Sequence, residues 1–182
     1  MLDYLVLYHS LSGNTERVAA EIFSALPGKS KDLINIDTAS VIPNAALYIV
    51  GFGVYQGTCH LNISDFLSGL SGKGVAIFAT CAMGDSEDYG NIIKQTVSAW
   101  IEDDNDYLGG FICQGKLPQA FRNKYENAKC NKDNVLIRSL LNSFDSALTH
   151  PDALDIEHAK VFALNCVSKY QERTKEATDD KG

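Results

Sequence analysis

With 182 residues and 45% apolar side chains, the chain has the material for one well-filled core, and a single domain over 1–182 is expected. A formal charge of −7 argues against nucleic acid as a partner and for redox or other protein partners that carry a basic docking surface. No apolar run approaches the roughly 20 residues of a membrane span, and the start, Leu2-Asp3-Tyr4-Leu5-Val6-Leu7-Tyr8, lacks the flanks of a secretory signal, so no membrane association and a cytoplasmic location are expected.

Leu2 to Tyr8 is a Val/Leu/Tyr-rich run that stops at a Ser/Gly/Asn/Thr cluster, as a buried strand entering a loop does. Over Thr15–Leu26 the apolar positions Val18, Ala19, Ile22, Phe23 and Leu26 recur at helical spacing until Pro27-Gly28 ends the pattern. Asp32–Asp37 alternates weakly, and Ala45–Gly51 is a continuous apolar run of strand length, suited to burial on both faces. Ile63, Phe66, Leu67 and Leu70 share a helical face, and Gly72 and Gly74 bracket the turn into the strand Val75–Ala79. A helix is predicted over about Glu87–Ile101 with Ile92, Ile93, Val97 and Trp100 inward, then a strand over Tyr107–Cys113. Beyond Lys116 the pattern turns helical: Val135–Leu148 is one candidate, and Asp155–Lys175 another, with Ile156, Ala159, Val161, Phe162 and Val167 toward the sheet. A core over 1–117, a helical extension over 118–177 and a frayed polar tail over 178–182 follow from this reading. Strands alternating with helices predict parallel pairing through right-handed crossovers: an α/β doubly wound sheet with helices on both faces.

In such sheets ligands bind outside the carboxyl ends of the strands. The loop after the first strand, His9-Ser10-Leu11-Ser12-Gly13-Asn14-Thr15, offers hydroxyls, a glycine and an amide directly before a helix, where backbone N–H groups and the helix dipole suit a phosphate. It lacks the spacing and lysine of a triphosphate loop, the chain has no complete G-x-G-x-x-G dinucleotide loop, and Tyr8-His9-Ser10 lacks the acidic residues of a phospho-acceptor domain. The plainer alternative is that Ser12 or Asn14 merely caps the helix, a role that can coexist with phosphate binding. The five cysteines, Cys59, Cys81, Cys113, Cys130 and Cys166, are odd in number and without C-x-x-C spacing, so reduced thiols are expected and no metal site.

Ser10-Leu11-Ser12-Gly13-Asn14-Thr15 matches the [ST]-x-[ST]-G-x-T phosphate loop of flavodoxins. Two further loops agree with it: Gly51-Phe52-Gly53-Val54-Tyr55-Gln56-Gly57 and Ala79-Thr80-Cys81-Ala82-Met83-Gly84-Asp85-Ser86. The chain therefore resembles a flavodoxin over essentially its whole length. Gly110–Lys116 and His150-Pro151-Asp152 are similar to a longer subgroup that includes flavodoxin-like accessory proteins of bilirubin reduction. The resemblance implies a five-stranded sheet of order 2-1-3-4-5 and one FMN. Ser10, Leu11, Ser12, Gly13, Asn14 and Thr15 would hold its phosphate; Val54, Tyr55, Gln56, Gly57, Thr80, Cys81, Ala82, Met83, Gly84, Asp85 and Tyr89 would flank its ring. No catalytic side chain is required of an electron carrier serving a partner redox enzyme. An NAD(P)H-dependent FMN or quinone reductase is the alternative, a flavin-free accessory subunit the second. Gly53, Gly57 and Gly84 could let backbone approach the ring, Asp85, Glu87 and Asp88 would lower its potential, and His9 and His60 read as structural residues. A monomer or weak dimer is expected.

Overall fold

A computed structural model describes residues 1–82, 86–127 and 135–179. Five parallel strands form the sheet, β1 (Leu2–His9), β2 (Lys31–Asn35), β3 (Ala45–Gly53), β4 (Gly74–Cys81) and β5 (Asp106–Gln114), in the order β2-β1-β3-β4-β5. Helices α1 (Asn14–Ala25), α2 (Leu61–Ser68), α3 (Glu87–Ser98), α4 (Gln119–Asn127), α5 (Val135–Ala147) and α6 (Ala153–Asp179) complete the elements. Among the described residues no helix is long and apolar enough to cross a membrane.

The central strands are apolar on both faces because helices cover both. Tyr4, Val6 and Tyr8 of β1 join Val18, Ala19 and Ile22 of α1 and Ala159, Ala163 and Cys166 of α6 in one core layer. Leu5 turns the other way, into a second layer with Ile63 and Leu67 of α2 and Ile93 and Val97 of α3. Each fully buried Ile, Leu or Val contributes about 1.5–3 kcal/mol relative to exposure. Across one row the register runs Tyr8↔Gly51↔Phe78↔Phe111. A β-carbon on Gly51 would fall 2.1 Å from Phe78 Cζ, so this glycine makes room for the ring beside it.

The helix faces require three corrections. Ile92 is 57% exposed and Trp100 48%, outside the core, with Trp100 beyond the end of α3. Val161 of α6 is 46% exposed, whereas Ile156, Ala159 and Val167 are buried as expected and Phe162 stacks on Phe111 with centroids 5.9 Å apart. Leu70, read as part of the second helix, is buried just after it. The register brings the carboxyl ends of β1, β3, β4 and β5 side by side, His9 opposite Phe52, Gly53 opposite Thr80 and Cys81 opposite Gln114.

Candidate functional site

Three connections leave that carboxyl edge. The first, Ser10–Gly13, carries β1 into α1, and Gly13 is the N-cap at φ 82°, a left-handed backbone that costs glycine little. No side chain caps the helix. The expected alternative, Ser12 or Asn14 as cap, is therefore absent, and the first-turn N–H groups of α1 keep their donors and the positive end of the helix dipole. Ser10 Oγ instead accepts the Gly13 N–H at 3.1 Å and tightens the loop. Leu11, Ser12 and Gly13 are exposed.

Asn14 and Thr15 are 6% and 1% exposed and turn inward. Asn14 Nδ2 donates to Ser12 Oγ at 2.9 Å and to the Lys116 carbonyl at 2.8 Å, which uses both of its hydrogens. Thr15 Oγ1 lies 2.9 Å from Thr80 Oγ1, a buried hydroxyl pair joining the first loop to the end of β4. Behind them, a β-carbon on Gly115 would sit 2.9 Å from Asn14 Nδ2 and 3.1 Å from Thr80 Cβ. The Lys116 N–H donates to the His150 carbonyl at 3.1 Å, and Arg17 Nη1 donates to the Pro151 carbonyl at 2.6 Å. The end of β5 and the His150–Pro151 segment thus buttress the first loop. The sequence singles out neither Gly115 nor Arg17 for this, because contacts such as Asn14 to Lys116 and Arg17 to Pro151, 102 and 134 positions apart, leave no local signal.

After β3 the chain makes a two-residue hairpin. Tyr55 and Thr58 exchange backbone hydrogen bonds of 2.9 and 3.0 Å, and both residues between them have positive φ, Gln56 at 50° and Gly57 at 84°. That pair of angles defines a type I′ turn, which glycine at the second position favours. The Val54 N–H donates to the Thr80 carbonyl at 2.9 Å, which fixes the hairpin to β4, and Tyr55 projects from it, 58% exposed. Cys59 behind the turn is buried, and burial pushes its thiol up.

In the third connection Cys81 is buried and its carbonyl accepts the Gly115 N–H at 3.0 Å. Ala82 is half-buried, and Met83, Gly84 and Asp85 lie outside the described residues. Ser86 caps α3 by accepting the Tyr89 N–H at 3.2 Å. Tyr89 packs at the edge of the second core layer, where burial first, then the charge interaction with Cys81 and the hydrogen bond to it, push the phenol up. Glu87 and Asp88 are exposed in the first turn of α3.

One other cluster has a local explanation. His150, Asp152 and Asp155 lie close enough to hold a cation. Yet Asp152 Oδ1 accepts the Leu154 and Asp155 N–H groups, and Asp155 Oδ2 accepts the Asp152 N–H and meets His150 Nδ1, so the three build the start of α6. An open groove of about 430 Å³ lined by Asp3, Tyr4, Ala46, Tyr170 and Gln171 lies at the opposite, N-terminal end of the strands.

The comparisons with known proteins agree with this fold. A family model described as Flavodoxin domain matches residues 5–164. The chain is 34% identical over 170 residues to the flavodoxin-like domain-containing protein BilS of Clostridioides difficile (strain CD3), covering 91% of this chain and 96% of that protein. Among solved structures it superposes on oxidised flavodoxin 2 of Bacillus cereus with a TM-score of 0.55 at 17% identity, over 92% of this chain and 99% of that one. It also superposes on rubredoxin oxygen:oxidoreductase of Desulfovibrio gigas with a TM-score of 0.58 at 14% identity, over 94% of this chain but 37% of that one.

Proposed function

The chain belongs to the flavodoxin domain family, and from that premise we propose that it holds one FMN non-covalently at the carboxyl edge of the sheet and passes electrons through it to a partner enzyme. The observation that carries this reading is the uncapped start of α1: donors aligned with a helix dipole, an exposed glycine-containing turn and two serine hydroxyls, with no competing carboxylate cap. Those groups fit a phosphate monoester, which needs hydrogen-bond donors and a positive field.

Ser10, Ser12 and the backbone from Gly13 onward would take the phosphate. Asn14 and Thr15, though expected to touch it by side chain, would act from behind by holding the loop's shape. Tyr55 would give the ring an aromatic face, Gln56 and Gly57 a close backbone edge, and Val54, Thr80, Cys81, Ala82 and Tyr89 the wall; Met83, Gly84 and Asp85 complete the set. When bound, the isoalloxazine supplies the redox chemistry, and the chain supplies binding, orientation and field. Glu87 and Asp88 would oppose added negative charge at the site and attract a basic partner surface. The resemblance to flavodoxin-like accessory proteins of bilirubin reduction, supported by the similarity to BilS, names the first acceptor to try: an enzyme that reduces bilirubin.

Flavin-fluorescence titration tests the cofactor, with FMN expected to bind at least about tenfold tighter than riboflavin because the phosphate meets charge-assisted donors. Anaerobic reduction then separates the functions. Two one-electron steps and no response to NADH or NADPH support the carrier; direct two-electron bleaching by either nucleotide makes the protein a reductase, and no flavin binding leaves an accessory subunit.

A further inference from the structure

His9 ends β1 one residue before the phosphate-side loop and is 5% exposed. Its Nε2 lies 3.5 Å from Asp37 Oδ2, and its Nδ1 is buried with no hydrogen-bond partner among the described residues. Its ring stacks face to face on His60, with centroids 4.5 Å apart and planes 8° from parallel. His60 directly follows the Val54–Cys59 loop and caps α2 by accepting the Asn62 N–H at Nδ1, 3.4 Å away. Asn62 Nδ2 donates to Asp37 Oδ1 at 2.9 Å, so Asp37 is itself held in place.

This arrangement accommodates one charge state. A neutral His9 can carry its proton on Nε2, toward Asp37, and leave a bare lone pair at Nδ1. A second proton would bury an unpaired N–H and set a cation face to face with another imidazole. Two titratable groups face His9, Asp37 from the connection between β2 and β3 and His60 from α2. Asp37 favours the charged ring, while burial and His60 oppose it, and burial dominates.

We propose that His9 is a positioning residue for the Val54–Cys59 loop: it holds the loop through the stack on His60 while its own imidazole is neutral, and the loop loosens when His9 takes up a proton. The consequence for flavin affinity rests on the FMN reading above; the positioning itself does not.

The test is amide hydrogen exchange of the full-length protein without flavin, expressed as protection factors for Tyr55 and Thr58, whose mutual bonds close the hairpin. Between about pH 8 and pH 5, where imidazoles change charge, protection at both amides is expected to fall, by up to about tenfold per pH unit for a one-proton linkage. His9→Phe keeps an aromatic ring on His60 without a titrating group at position 9, and His60→Asn keeps the cap acceptor without the ring; in both, the profile is expected to be flat. A flat profile in the natural protein, or the same fall in both variants, overturns the proposal, and if His9→Phe does not fold, His60→Asn carries the comparison. The FMN dissociation constant over the same range is the second arm, read as the difference from the variants because the FMN phosphate titrates near pH 6 by itself. Falling protection with no flavin binding keeps the positioning and removes the FMN reading. Falling protection with an affinity profile equal to the variants' removes the consequence for flavin.

Discussion

The Thr15–Thr80 hydroxyl pair joins the first turn of α1 to the end of β4 through side chains that are both buried, at 1% and 6% exposure. Thr15→Val leaves Thr80 Oγ1 buried without its partner and is expected to cost about 1–3 kcal/mol, whereas the double variant with Thr80→Val removes both polar groups and should recover most of that loss. Urea midpoints of the two single variants and the double variant measure the coupling. Gly115 answers to steric rather than polar logic. Gly115→Ala drives a methyl into Asn14 and Thr80, with an expected loss of about 1–3 kcal/mol and weaker FMN retention than riboflavin retention would show, since the displaced atoms support the phosphate loop. None of this was legible in the sequence. The hexapeptide Ser10–Thr15 announced a phosphate loop by composition, yet which of its side chains face outward depends on residues 65 and 102 positions away.

At the scale of elements, pattern and outcome agree where burial is two-sided and part where it is one-sided. The sequence places all five strands to within a few residues: in β1, β3 and β4 a continuous apolar run has few alternatives when helices cover both faces of a sheet, while the edge strand β2, partly exposed, shows only a weak alternation. Helix faces were harder. Trp100 is seven positions from Ile93 and three from Val97 and would share the stripe that meets the sheet, but α3 ends at Ser98 before reaching it, while Ile92 is turned about 100° away from that stripe. Periodicity gives the width of an apolar face without saying whether a neighbour covers it. The start of α3 is governed by local chemistry instead. Ser86 supplies the cap acceptor, so Ser86→Ala is expected to destabilise by about 1 kcal/mol, a fall in Tm of about 2–4 °C for a chain of this size in a thermal scan. Ser86→Asp, which keeps an acceptor at the positive end of the helix, should restore it.

For the whole molecule, buried groups of opposite acid–base character confine stability to a window of pH. His9 sits below its ordinary value, chiefly through burial. As pH falls through about 6.5 the unfolded chain takes up a proton that the folded one refuses, so stability is lost on acidification. On the alkaline side burial pushes Cys166 from 9.0 to about 11 and Tyr107 from 10.0 to about 12, and moves Cys113 upward in the same sense. Above pH 9.0 the unfolded thiols release protons that the folded ones keep, and stability falls as pH rises, by about 1.4 kcal/mol per pH unit for each group in its titration window. Urea midpoints should therefore be level between about pH 7 and 8.5 and decline on both sides. Cys166→Ala, which touches the core layer shared by α1 and α6, is expected to lower the plateau somewhat through lost packing while making the alkaline decline shallower by one group's share. His9→Phe should make the acid limb shallower by one group's share, starting from about pH 6.5, and leave the alkaline limb as it was. A variant that shifted both limbs together would mean the limbs arise from net charge rather than from these buried groups, because self-repulsion acts on the whole surface whereas each buried group titrates on one side only.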